Sequence, residues 1–232
     1  MILFGPTHLS TLTLISLVTL SCVICQRKGH RWPRFFLAFL CLNVFTVNQW
    51  SYLQVSFPVP LNNTIPGHLC DLVAFLMGFG LLFRHALSCE LAYTWGLGGT
   101  LQALITPNLS QDFPDPIFLS FFHAHGVIVV AALFLPLGLR WSPRPGVVLR
   151  SFAWLQLYFV AAIGLNLSLG TNFGFLMQKP QAASLFDYLG PWPWYWLALQ
   201  PISLLLILLP CLPFRRSRNI WLPWTKQAKP SP

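Results

Sequence analysis

The sequence predicts an all-α, polytopic membrane protein with seven transmembrane helices, and three observations lead to that prediction. Hydrophobic residues make up 55% of the chain and charged residues only 8%, which excludes a soluble domain of 232 residues. Seven apolar stretches follow one another along the chain. Thirteen of the fourteen Lys and Arg residues fall on alternate connections between these stretches.

The apolar stretches have the lengths that a bilayer requires. A helix rises ~1.5 Å per residue, so about 17–25 apolar residues cross a hydrocarbon core ~30 Å thick. We therefore predict spans at residues 8–25, 35–56, 67–83, 86–106, 117–139, 147–169 and 193–213. All connections are short, so residues 1–214 form one transmembrane domain and residues 215–232 form a basic tail.

The basic residues predict the orientation of these spans. The first, third and fifth connections hold four, one and three Lys or Arg residues, and the C-terminal tail holds five. The N-terminus and the second and fourth connections have none, and the sixth has only Lys179. Because basic connections stay in the cytoplasm, we predict that the N-terminus is outside and the C-terminus is cytoplasmic. We expect the protein in the cytoplasmic membrane of a bacterium.

The net charge of +9 does not indicate a nucleic-acid partner. The basic residues flank the predicted spans, where they meet anionic lipid headgroups. We therefore expect membrane lipid as the partner and no nucleic acid, and a homo-oligomer is compatible with the sequence. We expect no cofactor.

Polar residues gather at the predicted outer ends of the helices, whereas the inner half offers only Glu90, with Arg84 and His85 beside it. A bilayer penalises polar groups, so those that persist in or beside spans are informative. Five polar residues at the outer ends are candidates for substrate binding: Gln102, Thr106, Asn166, Asn172 and Asp187. Five others are candidate catalytic residues: His68, Cys70, Asp71, His123 and His125. Together they predict an outward-facing polar pocket.

The start of the third span combines three reactive residue types. His68 and Asp71 are three residues apart and share a helix face, so the carboxylate could orient the imidazole. Asp71 near the first turn also suits the helix dipole, which is a purely structural interpretation. Cys70 lies about 200° around the helix from His68. A cysteine–histidine pair therefore requires a histidine of the fifth span.

The start of the fifth span carries His123 and His125. Two residues apart on a regular helix, they point in nearly opposite directions. One can face the pocket while the other meets lipid headgroups or another helix. Both can converge only if the helix begins irregularly, which Pro114 and Pro116 would allow.

Two chemistries fit these residue types. In the first, Cys70 attacks an ester, a histidine serves as base and Asp71 orients a base, which is acyl transfer or hydrolysis. Asn172, Gln102 or Thr106 could stabilise the oxyanion. In the second, the histidines and a carboxylate bind a divalent metal. Neither HExxH nor a comparable local pattern is present, so the metal is less favoured and we predict none.

The glycine-rich run at residues 96–100 (GLGGT) in the fourth span is similar to a phosphate-binding loop. It lies in mid-membrane with no preceding strand or Lys, so it lacks the context of such a loop. Small residues in a transmembrane helix instead predict close helix packing.

Four phrases in matching order resemble a known family over nearly the whole chain: residues 67–71 (GHLCD), 98–107 (GGTLQALITP), 122–126 (FHAHG) and 189–195 (LGPWPWY). They resemble the YwaF-type bacterial integral membrane proteins, which belong with the transmembrane protein 164-like family. The resemblance implies a seven-helix membrane protein. The animal branch implies transfer of acyl chains between phospholipids by a cysteine and a histidine. Its short Pro-Cys-His phrase matches Pro66, Gly67 and His68 here, so Gly67 stands at the cysteine's position.

These observations favour a membrane protein whose outward-facing, histidine-lined pocket acts on a phospholipid-like ester. The alternative is a non-enzymatic protein that binds or transports a lipid or small solute, or serves as a membrane scaffold. In that case the same residues hydrogen-bond helix to helix, as is common in membranes. The two hypotheses differ in whether His68 and a histidine of the fifth span converge on one cavity.

Overall fold

A computed structural model describes residues 1–180, 185–215 and 219–221. Helices account for nearly all of its regular structure, and the described residues contain no strand. The α-helices are α1 Pro6–Arg27, α2 Trp32–Leu42, α3 Val44–Val55, α4 Leu61–Thr64, α5 Leu69–Phe83, α6 Ala86–Trp95, α7 Leu101–Ile105, α8 Pro116–Leu139, α9 Val147–Leu169 and α10 Tyr195–Cys211. Of the predicted basic tail, residues 216–218 and 222–232 lie outside the described residues.

Several of these helices can cross a membrane. Within the described residues, five segments are long and apolar enough: Pro6–Arg27, Leu61–Phe83, Pro116–Leu139, Val147–Leu169 and Tyr195–Phe214. A sixth is obtained if α2 and α3, bent by 44° at Asn43, are counted as one span. The prediction of a multi-pass, all-α membrane protein is therefore confirmed, while the count of seven spans stays a prediction.

The fourth predicted span is interrupted. α6 passes into a π-helical segment, Gly96–Thr100, and then into the short helix α7. A Cβ atom on Gly98 would lie 2.8 Å from the carbonyl oxygen of Leu206 in α10, and one on Gly96 would lie 2.9 Å from Ile128 in α8. The close packing predicted for the glycine-rich run is thus confirmed at these two positions. A π-helical turn widens the helix locally and often marks a functional site.

α8 lies at the centre of the structure. In its most apolar 18-residue stretch, 67% of the residues are buried, against 11–33% in the other candidate spans. It packs against α1, α2, α3, α5, α6 and α7. The remaining helices expose many large apolar side chains, as membrane-facing helices do.

Contacts between distant connections sort the helix ends into two groups. At one end, which we call the arginine end, Arg27 Nε donates to the carbonyl of Leu137 (2.6 Å) and Arg34 Nη2 to that of Leu82 (2.7 Å). At the other, which we call the histidine end, the N-terminal amine donates to the carbonyl of Ser110 (3.0 Å). The backbone N–H of Asn172 donates to Asn62 Oδ1 there (2.7 Å). These bonds thus join the first connection to the C-terminal ends of α5 and α8, the N-terminus to the segment after α7, and the segment after α9 to α4.

Glu90 joins three parts of the arginine end. Its side chain is 1% exposed, and Oε1 accepts hydrogen bonds from the backbone N–H (2.7 Å) and Nε (2.9 Å) of Arg144. Oε2 accepts from Arg144 Nη2 (2.8 Å) and Arg150 Nε (2.9 Å). The bonded carboxylate raises the pKa of the Arg144 guanidinium above its ordinary value. Glu90 is thus paired with arginines 54 and 60 residues away in the chain.

We predict that Glu90→Ala lowers the stability of the protein by about 1–3 kcal/mol, because it removes charge-assisted hydrogen bonds to two arginines that water can partly solvate, their side chains being 50% and 25% exposed. The measurement is thermal unfolding of the detergent-purified protein. Asp112→Ala is the matched control, since that carboxylate is exposed and its removal should change the free energy of unfolding by less than about 0.5 kcal/mol. Equal unfolding temperatures for the two variants would contradict a structural role for the ion cluster.

Candidate functional site

His68 immediately precedes α5 at the histidine end. The backbone of His68 is extended, and His68 is the N-cap residue of α5. Asp71 Oδ2 accepts a hydrogen bond from the backbone N–H of His68 (3.2 Å), so this carboxylate caps the first turn of α5. The contact supports the structural interpretation of Asp71.

A short loop covers the imidazole of His68. The ring of Phe173 meets it edge-on at a centroid distance of 5.4 Å, and that of Phe175 lies at 5.9 Å. Phe173 is fully buried and packs directly on Gly67, where an added Cβ would lie 2.5 Å from the ring. A cysteine at position 67 would therefore require the ring of Phe173 to move.

Two of the predicted substrate-binding residues build this loop. Asn166 Oδ1 accepts from the hydroxyl of Thr171 (2.9 Å) and the N–H of Phe173 (2.7 Å), and its Nδ2 donates to the carbonyl of Phe173 (3.0 Å). Asn172 Oδ1 accepts from the N–H groups of Met177 and Gln178. Both amides are thus engaged within the protein, and their geometry places Phe173 over His68.

Cys70 lies on the first turn of α5 and faces the π-helical segment. Its Sγ is 3.7 Å from Oγ1 of Thr100, which is 1% exposed. The sequence alone did not single out Thr100, because it lies among glycines that were assigned to packing. The π-helical turn places this hydroxyl next to the thiol.

His125 is held on the α8 face that points toward His68. Its Nδ1 lies 2.8 Å from the carbonyl oxygen of Phe121, one turn earlier. A carbonyl only accepts, so Nδ1 carries the proton and Nε2 is left as the basic nitrogen. His125 lies within electrostatic range of His68 at the start of α5. The direct ring contacts of the two histidines are with other residues, Phe121 for His125 and Phe173 for His68.

His123 lies on a different face of α8. It meets the backbone of Leu40 in α2, and its Nε2 is buried without a hydrogen-bond partner among the described residues. The two histidines thus diverge, as a regular helix requires. The irregular start that would bring both into one site does not occur, since α8 begins at Pro116 with Asp115 Oδ1 accepting from the N–H of Ile117 (2.7 Å).

Tyr158 of α9 completes the group and was missed in the sequence. Its hydroxyl donates to the carbonyl of Gly67 (3.1 Å), and it lies within electrostatic range of Cys70 and Asp71. The sequence feature that could have identified it is a tyrosine in the middle of an apolar span. We call His68, Cys70, Thr100, His125 and Tyr158 the polar cluster.

The remaining predicted residues lie away from the polar cluster or on the surface. Gln102 and Thr106 are exposed, and the Thr106 hydroxyl donates to the carbonyl of Gln102 (3.1 Å). Asp187 is exposed as well. A further histidine, His8, is fully buried and bonded through both ring nitrogens, to the N–H of Phe4 (3.1 Å) and the carbonyl of Leu104 (2.8 Å), which fits a structural role. In the described part of the chain, groups of three or more His, Cys, Asp or Glu side chains arranged to hold a metal are absent.

We predict that Gly67→Ala destabilises the protein by about 1–3 kcal/mol, because the new methyl group overlaps the ring of Phe173. Thermal unfolding measures the effect, and Phe173→Leu in the same chain should restore part of the loss. Gly164→Ala is the control, since a Cβ there meets no atom within 4 Å. Equal unfolding temperatures for Gly67→Ala and Gly164→Ala would contradict the close packing of Phe173 on Gly67.

A family model described as the TMEM164 family matches residues 3–210, which is most of the chain. Neither a curated protein nor a solved structure matches it. The family match agrees with the resemblance that four sequence phrases indicated. This chain therefore belongs to the TMEM164 family.

Proposed function

We propose that the chain crosses the cytoplasmic membrane of a bacterium seven times, with the N-terminus outside. The division of the helix ends into an arginine end and a histidine end supports this count, with the interrupted helix at residues 86–105 as a further pass. The arginine end is then cytoplasmic. Residues 1–214 form the membrane domain, followed by a basic cytoplasmic tail at 215–232.

We predict that cysteines placed at the two ends react differently in intact cells. Ser110→Cys at the histidine end should be labelled by a membrane-impermeant maleimide, and Ser142→Cys at the arginine end only after the cells are permeabilised. Both positions are exposed, so access decides the result. The wild-type chain with its six free cysteines is the background control. The opposite pattern would reverse the proposed orientation.

We further propose that the polar cluster transfers or hydrolyses an acyl chain of a phospholipid-like ester. The observation that supports this is the contact of Cys70 Sγ with the buried hydroxyl of Thr100 (3.7 Å). His125 of α8 lies within electrostatic range of His68, two residues before Cys70, and its Nδ1–H is bonded to a carbonyl. A histidine whose Nδ1–H is bonded to a carbonyl keeps Nε2 free to accept a proton, which suits general base catalysis. Most other polar atoms near this end are used in hydrogen bonds that build the fold.

The proposed reaction has two steps. Nε2 of His125 accepts the thiol proton, the thiolate of Cys70 attacks the ester carbonyl, and the leaving alkoxide takes the proton as a lysophospholipid. The hydroxyl of a second lipid, or water, then gives its proton to Nε2 and attacks the thioester. The acyl chain passes to that oxygen, and the departing thiolate of Cys70 takes the proton from Nε2, so the enzyme ends unchanged. In a direct route, His125 activates the accepting hydroxyl without an acyl-cysteine.

The other members of the cluster have supporting roles in this proposal. The hydroxyl of Thr100, 3.7 Å from Cys70 Sγ, donates to the thiolate or to the oxyanion that forms next to it. The imidazole of His68 provides a second basic nitrogen within electrostatic range of His125. Tyr158 holds the carbonyl of Gly67 and so fixes the backbone that carries His68.

The second candidate is a lipid-binding or scaffold protein without catalysis, which a homo-oligomer would also suit. The observation that favours it is the internal use of the amides of Asn166 and Asn172, together with the structural histidine His8. Such networks stabilise helix contacts in a membrane whether or not a reaction takes place.

We predict that His125→Gln lowers acyl transfer by about 10²–10⁴-fold, the range for loss of a general base. The assay uses purified protein in vesicles of phosphatidylcholine with an isotope-labelled acyl chain, mixed with an unlabelled lysophospholipid, and mass spectrometry follows the label. His123→Gln is the matched control on the same helix and should retain activity.

The same assay separates the remaining possibilities. Loss of transfer in Cys70→Ser, with a labelled acyl group on Cys70 of the active protein, supports the covalent route. Retained transfer in Cys70→Ser supports the direct route. Equal activity in His125→Gln and the wild type would refute the proposed base, and absence of turnover in folded wild-type protein would favour the non-enzymatic candidate.

A further inference from the structure

The loop after α9 contacts His68 with two aromatic rings that are held in different ways. Phe173 is fully buried, and the side chain of Asn166 binds both its backbone N–H (2.7 Å) and its carbonyl (3.0 Å). Phe175 is only partly buried, and its ring centroid lies 5.9 Å from that of His68. Phe173 is thus anchored in the core, and Phe175 is the more exposed of the two rings.

The backbone of Phe175 is strained. Its φ angle is +55°, which lies in the left-handed region that a bulky L-residue rarely adopts. A residue in such a conformation persists only where its surroundings hold it there, and such residues concentrate at ligand clamps and switches. The position of Phe175 over His68 therefore depends on its contacts with the rest of the protein.

The contacts that hold Phe175 come from α10 and the segment before it. The hydroxyl of Tyr195, a fully buried side chain, donates to the carbonyl oxygen of Phe175 (2.7 Å). The ring of Phe186 packs against both, at centroid distances of 6.2 Å from Phe175 and 5.8 Å from Tyr195. One side-chain hydrogen bond thus holds the strained residue, whereas Asn166 holds Phe173 by two.

Gly174 separates the anchored residue from the strained one. Its φ angle is +66°, and an added Cβ would lie 3.2 Å from the hydroxyl oxygen of Tyr158, so glycine is favoured there for two reasons. Glycine also gives the backbone rotational freedom at this point. Phe175 can therefore turn away from His68 while Phe173 remains bonded to Asn166.

We propose that Phe175 is a gate over His68, which the hydroxyl of Tyr195 holds closed and Gly174 allows to open. When the hydrogen bond to Tyr195 breaks, Phe175 leaves the left-handed region and its ring moves off the imidazole. The purpose of the gate rests on the proposed function. In its open form it admits the accepting hydroxyl to the polar cluster, and in its closed form it keeps water from the acyl group.

The test is chemical modification of His68 in the full-length protein, held in nanodiscs of phosphatidylcholine. Diethyl pyrocarbonate modifies accessible neutral imidazoles, and peptide mass spectrometry gives the initial rate at each histidine. Two histidines are internal references: His30 is exposed, and His8 is fully buried with both ring nitrogens bonded. We expect the wild-type His68 to react more slowly than His30.

Tyr195→Phe removes only the hydroxyl and should raise the rate at His68 by about three- to tenfold, the population shift expected from the loss of one hydrogen bond. Phe175→Ala removes the covering ring and should raise it at least as much. Tyr188→Phe is the matched control, since Tyr188 is 87% exposed, and it should leave the rate unchanged. His8 should stay unreactive in every variant, which shows that the fold is retained.

Two results would overturn the inference. Equal rates at His68 in Tyr195→Phe and Tyr188→Phe would show that the hydroxyl does not hold the ring in place. A rate in Phe175→Ala no higher than in the wild type would show that the ring does not cover the imidazole. If Tyr195→Phe also exposed His8, it would have unfolded, and Phe175→Ala alone would decide.

The measurement needs no turnover, so its outcome is independent of the proposed reaction. Absence of acyl transfer in the wild type, with His68 more reactive in Tyr195→Phe, would refute the reaction and support the gate. Transfer that depends on His125, with His68 equally reactive in all variants, would support the reaction and refute the gate.

Discussion

The central packing of α8 is the constraint on which the other positions depend. Its small residues allow close approach: a Cβ on Gly126 would lie 3.1 Å from Ile15 of α1, and Ile128 packs against Gly96 of the π-helical segment. Hydrocarbon gives little driving force for helix association, so such contacts stabilise a membrane fold. They also fix the rotation of α8 about its axis. That rotation directs His125 toward His68 and His123 toward α2.

The need to satisfy polar groups shapes the two ends of the molecule differently. At the arginine end, a buried carboxylate is balanced by two arginines from another connection, which locks α6 to the start of α9. At the histidine end, side-chain amides bind backbone groups and hold an irregular loop. Irregular backbone is tolerated near a membrane only where its N–H and C=O groups find such partners. The loop therefore has a defined shape, and Phe173 has a defined position.

The same loop also packs against α9. Phe173 contacts His68 on one side, while Leu176, three residues later, lines a groove between α9 and α10. Asn166, which binds both backbone groups of Phe173, lies on α9 itself. The position of α9 therefore fixes the position of the loop over His68.

Apolar length and the distribution of basic residues determined the class of this protein from the sequence, because both follow from the bilayer itself. The divergence of His123 and His125 was also predictable, since helix geometry requires it. Which of the two lies within electrostatic range of His68 was decided only by the packing of α8. Thr100 and Tyr158 joined the cluster through a π-helical turn and a contact between α9 and Gly67, neither of which has a local sequence pattern. The pairing of Glu90 with Arg144 and Arg150 was likewise a tertiary result, because residues 54 and 60 positions apart meet only after the helices pack.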